Sequence, residues 1–291
     1  MPDPVPYRLP RTIVPEHYDL TLTPDLGGAT FAGQARIRVK VTESVTKVVL
    51  NAVELDILTA EFISSAGERL TSSVSYDEPE ERATIALVGT AQPGSWELDL
   101  TFTGVLNDRL HGFYRSTFCD ATGTDQVIAT TQFEATDARR AFPCWDEPDF
   151  KATFAVTLIV DRDLTAISNG AVMEDLDLGN GKRQVTFAET MPMSTYLVAF
   201  VVGHFEQTDP VVVDGVPIRI ASIKGKGHLT DFGLEAAAHA LHFLAGYFGI
   251  AYPHDKIDHI AIPDFAFGAM ENLGCVTFRE ARLLLDPEQV T

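Results

Sequence analysis

Cysteines, basic residues and long apolar runs are all scarce in this sequence of 291 residues. The three cysteines, Cys119, Cys144 and Cys275, are widely spaced and form no CxxC pair. This argues against a disulfide framework or a thiolate zinc site, and predicts a reducing, cytoplasmic location. Against 41 acidic residues stand only 22 basic ones, a net charge of −19, so neither nucleic acid nor an anionic membrane surface is an expected partner. No apolar run has the length of a membrane span, and the start does not have the pattern of a signal peptide.

Motifs for several common kinds of catalysis are also missing. None of the 8 histidines begins an HExxH zinc motif, and there is no GxSxG nucleophile elbow or phosphate-binding glycine loop. Glu235, His239 and His242 have an i, i+4, i+7 spacing that would place them along one flank of a helix. A metal site can use that spacing, but solvated helix edges show it as well. We therefore expect these three residues to form a solvated helix edge, with the metal site as the alternative that the spacing leaves open.

The hydrophobic content of 45% is high enough for a buried core. Apolar and polar residues alternate in segments 35–41, 96–103 and 153–160, which predicts three half-buried strands, and the continuously apolar segment 195–202 predicts a strand buried on both faces or in a sandwich core. Turn-forming clusters separate these runs, and no helical period appears before residue 229. The pattern predicts a mainly β, saddle-like or sandwich-like domain over residues 1–204.

From residue 205 the pattern changes. Asp214-Gly215 indicates a hairpin, residues 231–247 have an apolar stripe at helical spacing that ends in Phe248, and residues 257–262 read as a strand. Two strands, one helix and one strand bury little core. Residues 205–291 are therefore expected to form the beginning of an α+β domain that leans on the first domain or on chain absent here.

Two polar stretches stand out within apolar surroundings. DFAFGAMENLGCV, residues 264–276, carries Met270, Glu271 and Asn272 between glycines. TTQFEATDARRAFPCWDEPDFKATF, residues 130–154, mixes acids, arginines and large aromatic residues. On sequence alone, the second stretch fits a ligand site or a salt-bridged loop equally well, and Met270 by itself would be read as core.

Both stretches resemble motifs of the aminopeptidase N family, a group of gluzincin zinc metallopeptidases that includes the puromycin-sensitive enzymes. GAMEN at 268–272 resembles the exopeptidase motif of that family, and QFEATDARRAFPCWDEPDFKATF resembles the signature of its N-terminal domain. The segment YFGIAYPHDKID also matches the sequence that precedes GAMEN. Leu273 is a departure, since many relatives have an aromatic residue there.

The resemblance implies a β-saddle domain followed by a thermolysin-like catalytic domain whose zinc is held by HExxH and a later glutamate. Those ligands are absent from this sequence. The expectation is thus an N-terminal fragment, inactive alone, of a cytoplasmic aminopeptidase that removes N-terminal amino acids from peptides. Its partners would be peptide substrates with a free amine and the missing C-terminal catalytic region, which would supply the zinc ligands.

The family also implies roles for individual residues. Glu134 and Glu271 would bind the cationic amine of a peptide terminus, and Gln132 would add a polar contact. Small residues at Gly268 and Ala269 would let an edge strand pair with the substrate backbone. Met270 and Phe133 would flank the pocket for the first side chain. The expected substrate-binding set is Gln132, Phe133, Glu134, Gly268, Ala269, Met270, Glu271 and Asn272.

Two alternatives remain open from the sequence. A non-catalytic binding or scaffold relative would have the same fold without metal chemistry, although such relatives usually lose GAMEN as well. A branch of the family that opens a lipid epoxide usually begins the motif with two glycines. Ala269 fits the peptidase branch better.

Overall fold

The computed structural model describes residues 7–119 and 123–286, and it is mainly β. Within those residues the strands form three sheets, called here the large, middle and third sheets. The strands of the large sheet are β1 (Ile13–Asp25), β2 (Thr30–Val41), β3 (Val45–Asn51), β4 (Leu55–Ser64), β5 (Arg69–Asp77), β6 (Arg82–Ala91), β7 (Gly94–Val105), β10 (Thr153–Asp161), β12 (Val172–Gly179) and β13 (Lys182–Phe187). Their order is β12-β13-β10-β1-β2-β7-β4-β5-β6-β3.

The large sheet follows the alternation in the sequence. The segments 35–41, 96–103 and 153–160 lie in β2, β7 and β10, so these three strand predictions are confirmed. Along β7, for example, Leu98, Leu100 and Phe102 point into the first hydrophobic core and are at most 1% exposed. Their neighbours point to the opposite face, as the two-residue period of a strand requires.

The middle sheet is buried on both faces. Its strands are β8 (Gly112–Cys119), β9 (Asp125–Gln132), β11 (Thr165–Ser168) and β14 (Phe200–Gly203), in the order β11-β14-β9-β8. Phe113 and Ala129 pack into the first core with the large sheet. The adjacent residues Tyr114 and Ile128 pack into a second core with the third sheet. The middle sheet therefore joins the two halves of the molecule.

One strand prediction is half wrong. Segment 195–202 is extended in a sheet only from Phe200, because Thr195–Leu197 form a 3-10 turn. The Thr195 hydroxyl donates to Asp146 Oδ1 at 2.6 Å. The side chain of Asn169 hydrogen-bonds to the backbone of residues 197 and 199 at 2.8 and 2.9 Å. The Asn169 side chain thus satisfies backbone groups that a strand ladder would otherwise pair.

The third sheet and its helices follow from residue 205. Its elements are β15 (Phe205–Gln207), β16 (Val211–Val213), β17 (Val216–Ile223), α1 (Asp231–Phe248), β18 (Ile257–Ile262), β19 (Ala269–Met270), β20 (Cys275–Arg279) and α2 (Glu280–Leu283). Strands β17, β18 and β20 run parallel, β19 is antiparallel at one edge, and β15 and β16 pair with β17. The predicted hairpin, helix and 257–262 strand are confirmed.

Helix α1 covers the third sheet with one face only. The predicted apolar stripe consists of Leu234, Ala237, Ala238, Leu241, Ala245 and Phe248. All of these are half-buried except Phe248, which is 65% exposed. Other large apolar side chains of α1 are also open to solvent: Phe232, Phe243, Leu244 and Tyr247. In the part of the chain that the structure describes, no helix is long and apolar enough to cross a membrane.

Candidate substrate-binding site

The segment that carries Glu271 begins as an edge strand. Ala269 pairs with Phe278 and Met270 with Thr277, so β19 hydrogen-bonds to β20 on one side. No strand in the described ranges pairs with its other side. Gly268 and Ala269 are exposed there, whereas Met270 is 1% exposed and packs into the second core. The exposed edge is free to pair with an extended backbone.

The loop before this edge strand is fastened to the middle sheet. The hydroxyl of Tyr114 donates to the backbone oxygen of Asp264 at 3.0 Å, and the Asp264 N–H donates to Ser116 Oγ at 3.1 Å. Burial, and secondarily the Asp264 charge, raises the pKa of Tyr114 well above its usual value, which keeps this phenol a neutral donor. On the other side, Arg279 Nε donates to the backbone oxygen of Phe265 at 3.0 Å.

The residues after Glu271 form a tight turn. The Cys275 N–H donates to the Asn272 oxygen at 3.0 Å, and Gly274 has a φ of +75°, which glycine adopts without strain. The Asn272 side chain is 1% exposed and donates to Thr277 Oγ1 at 3.2 Å. Asn272 therefore shapes the turn rather than facing solvent.

Glu134 lies in a second turn, at the end of β9. The Asp137 N–H donates to the Phe133 oxygen at 2.8 Å and closes this turn. The Asp137 carboxylate is held in turn by Arg140 Nε at 2.8 Å and His111 Nδ1 at 3.0 Å. Glu134 itself is exposed. A braced turn thus presents its carboxylate to solvent.

Three predicted polar groups lack partners among the described residues. Neither the carboxylate of Glu134 nor that of Glu271 makes an ion pair or a hydrogen bond there, and both residues are exposed. Gln132 is 1% exposed, and its Oε1 has no hydrogen-bond partner. Because Ile128 faces the second core, the period of two in β9 directs Gln132 toward that side as well, where Met270 also packs.

Phe133 does not join this group. It is fully buried in the first core, where its ring lies 6.1 Å from that of Phe142 and 6.0 Å from that of Phe200. Met270 belongs to the second core, on the other side of the middle sheet. The interpretation of Phe133 and Met270 as two walls of one pocket is therefore corrected, because the two side chains pack into cores on opposite sides of the middle sheet.

The acids and arginines after Glu134 form a structural network. Arg139 Nε lies 2.9 Å from Asp146 Oδ2, and Arg139 Nη1 lies 2.7 Å from Glu81 Oε2. Burial raises the pKa of Asp146, while Thr195 and Arg139 oppose that effect. Of the two alternatives that the sequence left open for residues 130–154, a ligand site or a salt-bridged loop, the part after Glu134 is a salt-bridged loop.

Other candidate chemistry finds no support in the described residues. No group of three or more histidine, cysteine or acidic side chains there has the arrangement to hold a metal ion. His242 Nδ1 instead lies 3.0 Å from Asp214 Oδ2. The three cysteines are unpaired, and burial raises the pKa of Cys144 and, to about 12, that of Cys275. A groove of about 520 Å³ on the large sheet is lined by none of the residues predicted to bind substrate.

Sequence reasoning missed two residues that hold the Glu271 turn. Lys256 and Asn169 are 5% and 1% exposed, and both hydrogen-bond to the backbone just after Glu271. A lone lysine before an apolar strand was the only visible signal for the first. Nothing local marked the second, because its partners are distant in sequence.

Comparison with known proteins identifies the class. Residues 14–197 match the family described as the Peptidase M1 N-terminal domain, and residues 232–291 match the Peptidase family M1 domain. The chain belongs to the M1 peptidase family. The resemblance seen in the two sequence motifs is thereby confirmed, as is a β domain followed by the start of the M1 catalytic domain.

The relatives agree with this assignment. The chain is 44% identical over 282 residues to the puromycin-sensitive aminopeptidase of Caenorhabditis elegans, with 96% of the chain and 30% of the relative covered. It is 44% identical over 285 residues to aminopeptidase M1 of Arabidopsis thaliana, covering 97% of the chain and 32% of the relative. For the mitochondrial aminopeptidase 2 of Saccharomyces cerevisiae the identity is 41% over 288 residues, covering 97% and 30%. The chain thus spans about a third of the length of these relatives.

Proposed function

We propose that this chain is the substrate-recognition part of an aminopeptidase that removes N-terminal residues from peptides. The observation that carries the proposal is the pair of exposed carboxylates, Glu134 and Glu271, which have no partner among the described residues and lie on two turns that both adjoin the middle sheet. The relatives are named aminopeptidases, which favours this function over a non-catalytic scaffold.

Recognition of the free amine is the first step. The only charge that marks the start of a peptide is its terminal ammonium group, and carboxylates are its natural complement. Glu134 and Glu271 would each accept from the ammonium, and Gln132 Oε1, which has no protein partner among the described residues, would accept as well. Each charge-assisted hydrogen bond is worth about 1.5–3 kcal/mol.

Recognition of the peptide backbone is the second step. The open edge of β19 offers Gly268 and Ala269 without bulky side chains, so an extended substrate can approach as an added strand. Since Glu271 follows that edge directly, the amine would be anchored at one end of the added strand. With the amine held at that end, the position of the first peptide bond of the substrate is fixed relative to the Glu271 turn.

Hydrolysis requires more than these residues. Aminopeptidases of the M1 family are zinc metalloproteases, and zinc supplies a Lewis acid and an activated water when bound. The described residues do not offer a fitting ligand set, and the sequence has no HExxH. We therefore propose that the chain alone binds amines but does not hydrolyse peptides, with residues 1–204 and 205–291 as its two domains and the cytoplasm as its location.

The direct test is a titration of the ¹⁵N-labelled chain with leucinamide, followed by NMR. N-acetyl-leucinamide, which has no ammonium group, is the matched ligand control. We expect leucinamide to shift resonances at residues 132–134 and 269–272, and Glu271→Gln or Glu134→Gln to weaken binding roughly 10- to 100-fold. Glu174→Gln, at an exposed acid on β12, is the control for loss of one negative charge.

Two results would contradict the proposal. One is equal binding of the two ligands, which would mean that the amine is not recognised. The other is equal weakening by Glu174→Gln and Glu271→Gln, which would reduce the effect to net charge. Zinc-dependent release of a fluorophore from a leucine substrate by the purified chain would contradict its proposed inactivity.

A further inference from the structure

We propose that Lys256 and Asn169 are positioning residues that lock the Glu271 turn against the middle sheet and so fix Glu271 relative to Gln132 and Glu134. The inference rests on the proposed function, because it concerns the same amine site. The two residues are called here the turn clamp.

Lys256 joins three segments with one ammonium group. Its Nζ donates to the backbone oxygen of Gly274 at 2.6 Å and to that of Ser168 at 2.8 Å, and it lies 2.8 Å from Asp258 Oδ2. Gly274 belongs to the Glu271 turn, Ser168 ends β11 of the middle sheet, and Asp258 lies in β18. These three acceptors match the three N–H donors of the lysine ammonium group.

Asn169 makes a parallel connection. Its Nδ2 donates to the backbone oxygen of Leu273 in the turn and to that of Leu197, each at 2.8 Å. Its Oδ1 accepts the Ala199 N–H at 2.9 Å. Because Asn169 adjoins β11, it holds the turn from the same side as Lys256 does. Two consecutive carbonyls, at residues 273 and 274, are thus fastened to the middle sheet.

The bonded carbonyls follow Glu271 by only two and three residues. A shift of the whole turn along the sheet would break at least one of these bonds. The middle sheet also carries Gln132 at the end of β9, two residues before Glu134. The clamp therefore connects the two halves of the amine site through one sheet. Burying a lysine ammonium costs free energy unless the charge is paired and hydrogen-bonded. The three contacts of Lys256 meet that condition.

A simpler view is that Lys256 only stabilises the fold. The strand bond from the Asp258 N–H to the Gly274 oxygen, at 3.0 Å, would remain after Lys256 is lost. The turn would then stay attached to β18 while losing its tie to Ser168. Removal of the clamp is thus expected to change where Glu271 lies more than whether the sheet forms.

The test compares three clamp variants of the whole chain with one control variant. Lys256→Met combined with Asp258→Asn removes the ammonium without leaving its carboxylate partner charged and buried. Asn169→Asp keeps the shape and the acceptor for Ala199 but cannot donate to Leu273 or to Leu197. Lys256→Arg keeps a charged donor and is the conservative rescue. Leu100→Ala, in the fully buried first core, is the control for lost stability alone.

Two readouts are measured for each variant. The first is the affinity ratio for leucinamide over N-acetyl-leucinamide. The second is amide hydrogen exchange at Gly274 and Cys275, compared with Ile260 in β18. We expect the double variant and Asn169→Asp to lower the ratio at least about threefold, toward that of Glu271→Gln, and to speed exchange in the turn but not at Ile260. Lys256→Arg should recover part of the ratio, and Leu100→Ala should leave it unchanged.

The clamp is refuted if both clamp variants retain the wild-type ratio and turn protection, or if Leu100→Ala lowers the ratio as much as they do. If the wild-type chain itself fails to distinguish the two ligands, the proposed function is what fails. Exchange in the turn then decides the clamp: unchanged protection at Gly274 and Cys275 refutes it, and selective loss supports it.

Discussion

His259 allows a quantitative test of how the third sheet is packed. Its ring lies in β18 with an edge contact to Phe278, 5.2 Å between centroids, and its Nδ1 is buried without a hydrogen-bond partner in the described ranges. Burial lowers the pKa of His259 from 6.5 to about 4, and the nearby Asp258 opposes this only in part. The folded protein therefore holds the neutral ring where the unfolded chain would already be protonated.

The sign and size of the effect follow from linkage. Between pH 6.5 and about 4, the unfolded state binds a proton at this residue and the folded state does not, so the free energy of unfolding falls as the pH falls. Above pH 6.5 the residue adds no pH dependence. Across the whole interval the loss amounts to about 3 kcal/mol, since one pKa unit corresponds to about 1.4 kcal/mol.

The perturbation is His259→Phe, which keeps an aromatic ring beside Phe278 but has no titrating group. Urea unfolding of both proteins would be followed by far-ultraviolet circular dichroism at pH 7.5, 6.5, 5.5 and 4.5. We expect the variant to gain about 2–3 kcal/mol relative to the wild type between the first and the last pH. Groups that titrate elsewhere cancel in this difference. Parallel pH profiles, or an NMR titration of His259 near pH 6.5, would refute the reasoning.

Three further predictions concern other parts of the fold. Gly274→Ala should destabilise the protein by about 1–2 kcal/mol or more, because a Cβ there would lie 2.2 Å from a backbone oxygen at a φ of +75°. Gly246→Ala, where a Cβ on α1 would meet nothing, should instead stabilise the protein by up to about 1 kcal/mol. Thermal unfolding of the two variants compares these effects. Arg139→Met should cost about 3–5 kcal/mol in urea unfolding, since it strands the buried carboxylate of Asp146, and an unchanged midpoint would contradict this. Phe248→Ser, at a side chain 65% exposed, should reduce light scattering at high concentration without lowering the melting temperature.

The elements with a clear period were predictable from sequence. Strand β18 and helix α1 were placed to within a residue or two because local alternation and the helical stripe agree with their tertiary surroundings. The strand prediction for segment 195–202 was wrong in its first half because the side chains of Asp146 and Asn169, which are distant in sequence, hold those residues in another conformation. Hydrophobic periodicity contains no information about such partners.

The error at Phe133 was avoidable on physical grounds. Gln132 is the last residue of β9 and Phe133 follows it directly, so the alternation along the strand directs the two side chains to opposite faces. If Gln132 faces the second core, Phe133 must face the first, as it does. The turn clamp could not be predicted in this way. Lys256 and Asn169 bond to backbone carbonyl groups, and because every residue has one, the sequence does not show which carbonyls are bonded.

The surroundings of Glu271 separate what the fold needs from what it leaves free. Met270 before it fills the second core, and Asn272 after it is buried and hydrogen-bonded, so both neighbours serve the structure. Glu271 alone points outward, with no partner among the described residues. An acid that contributes no contact to the fold, on a turn held by several buried hydrogen bonds, has its position fixed at the expense of conformational freedom. That cost is understandable if the carboxylate must meet a ligand at a defined place, and it is the reason to seek that ligand among amines.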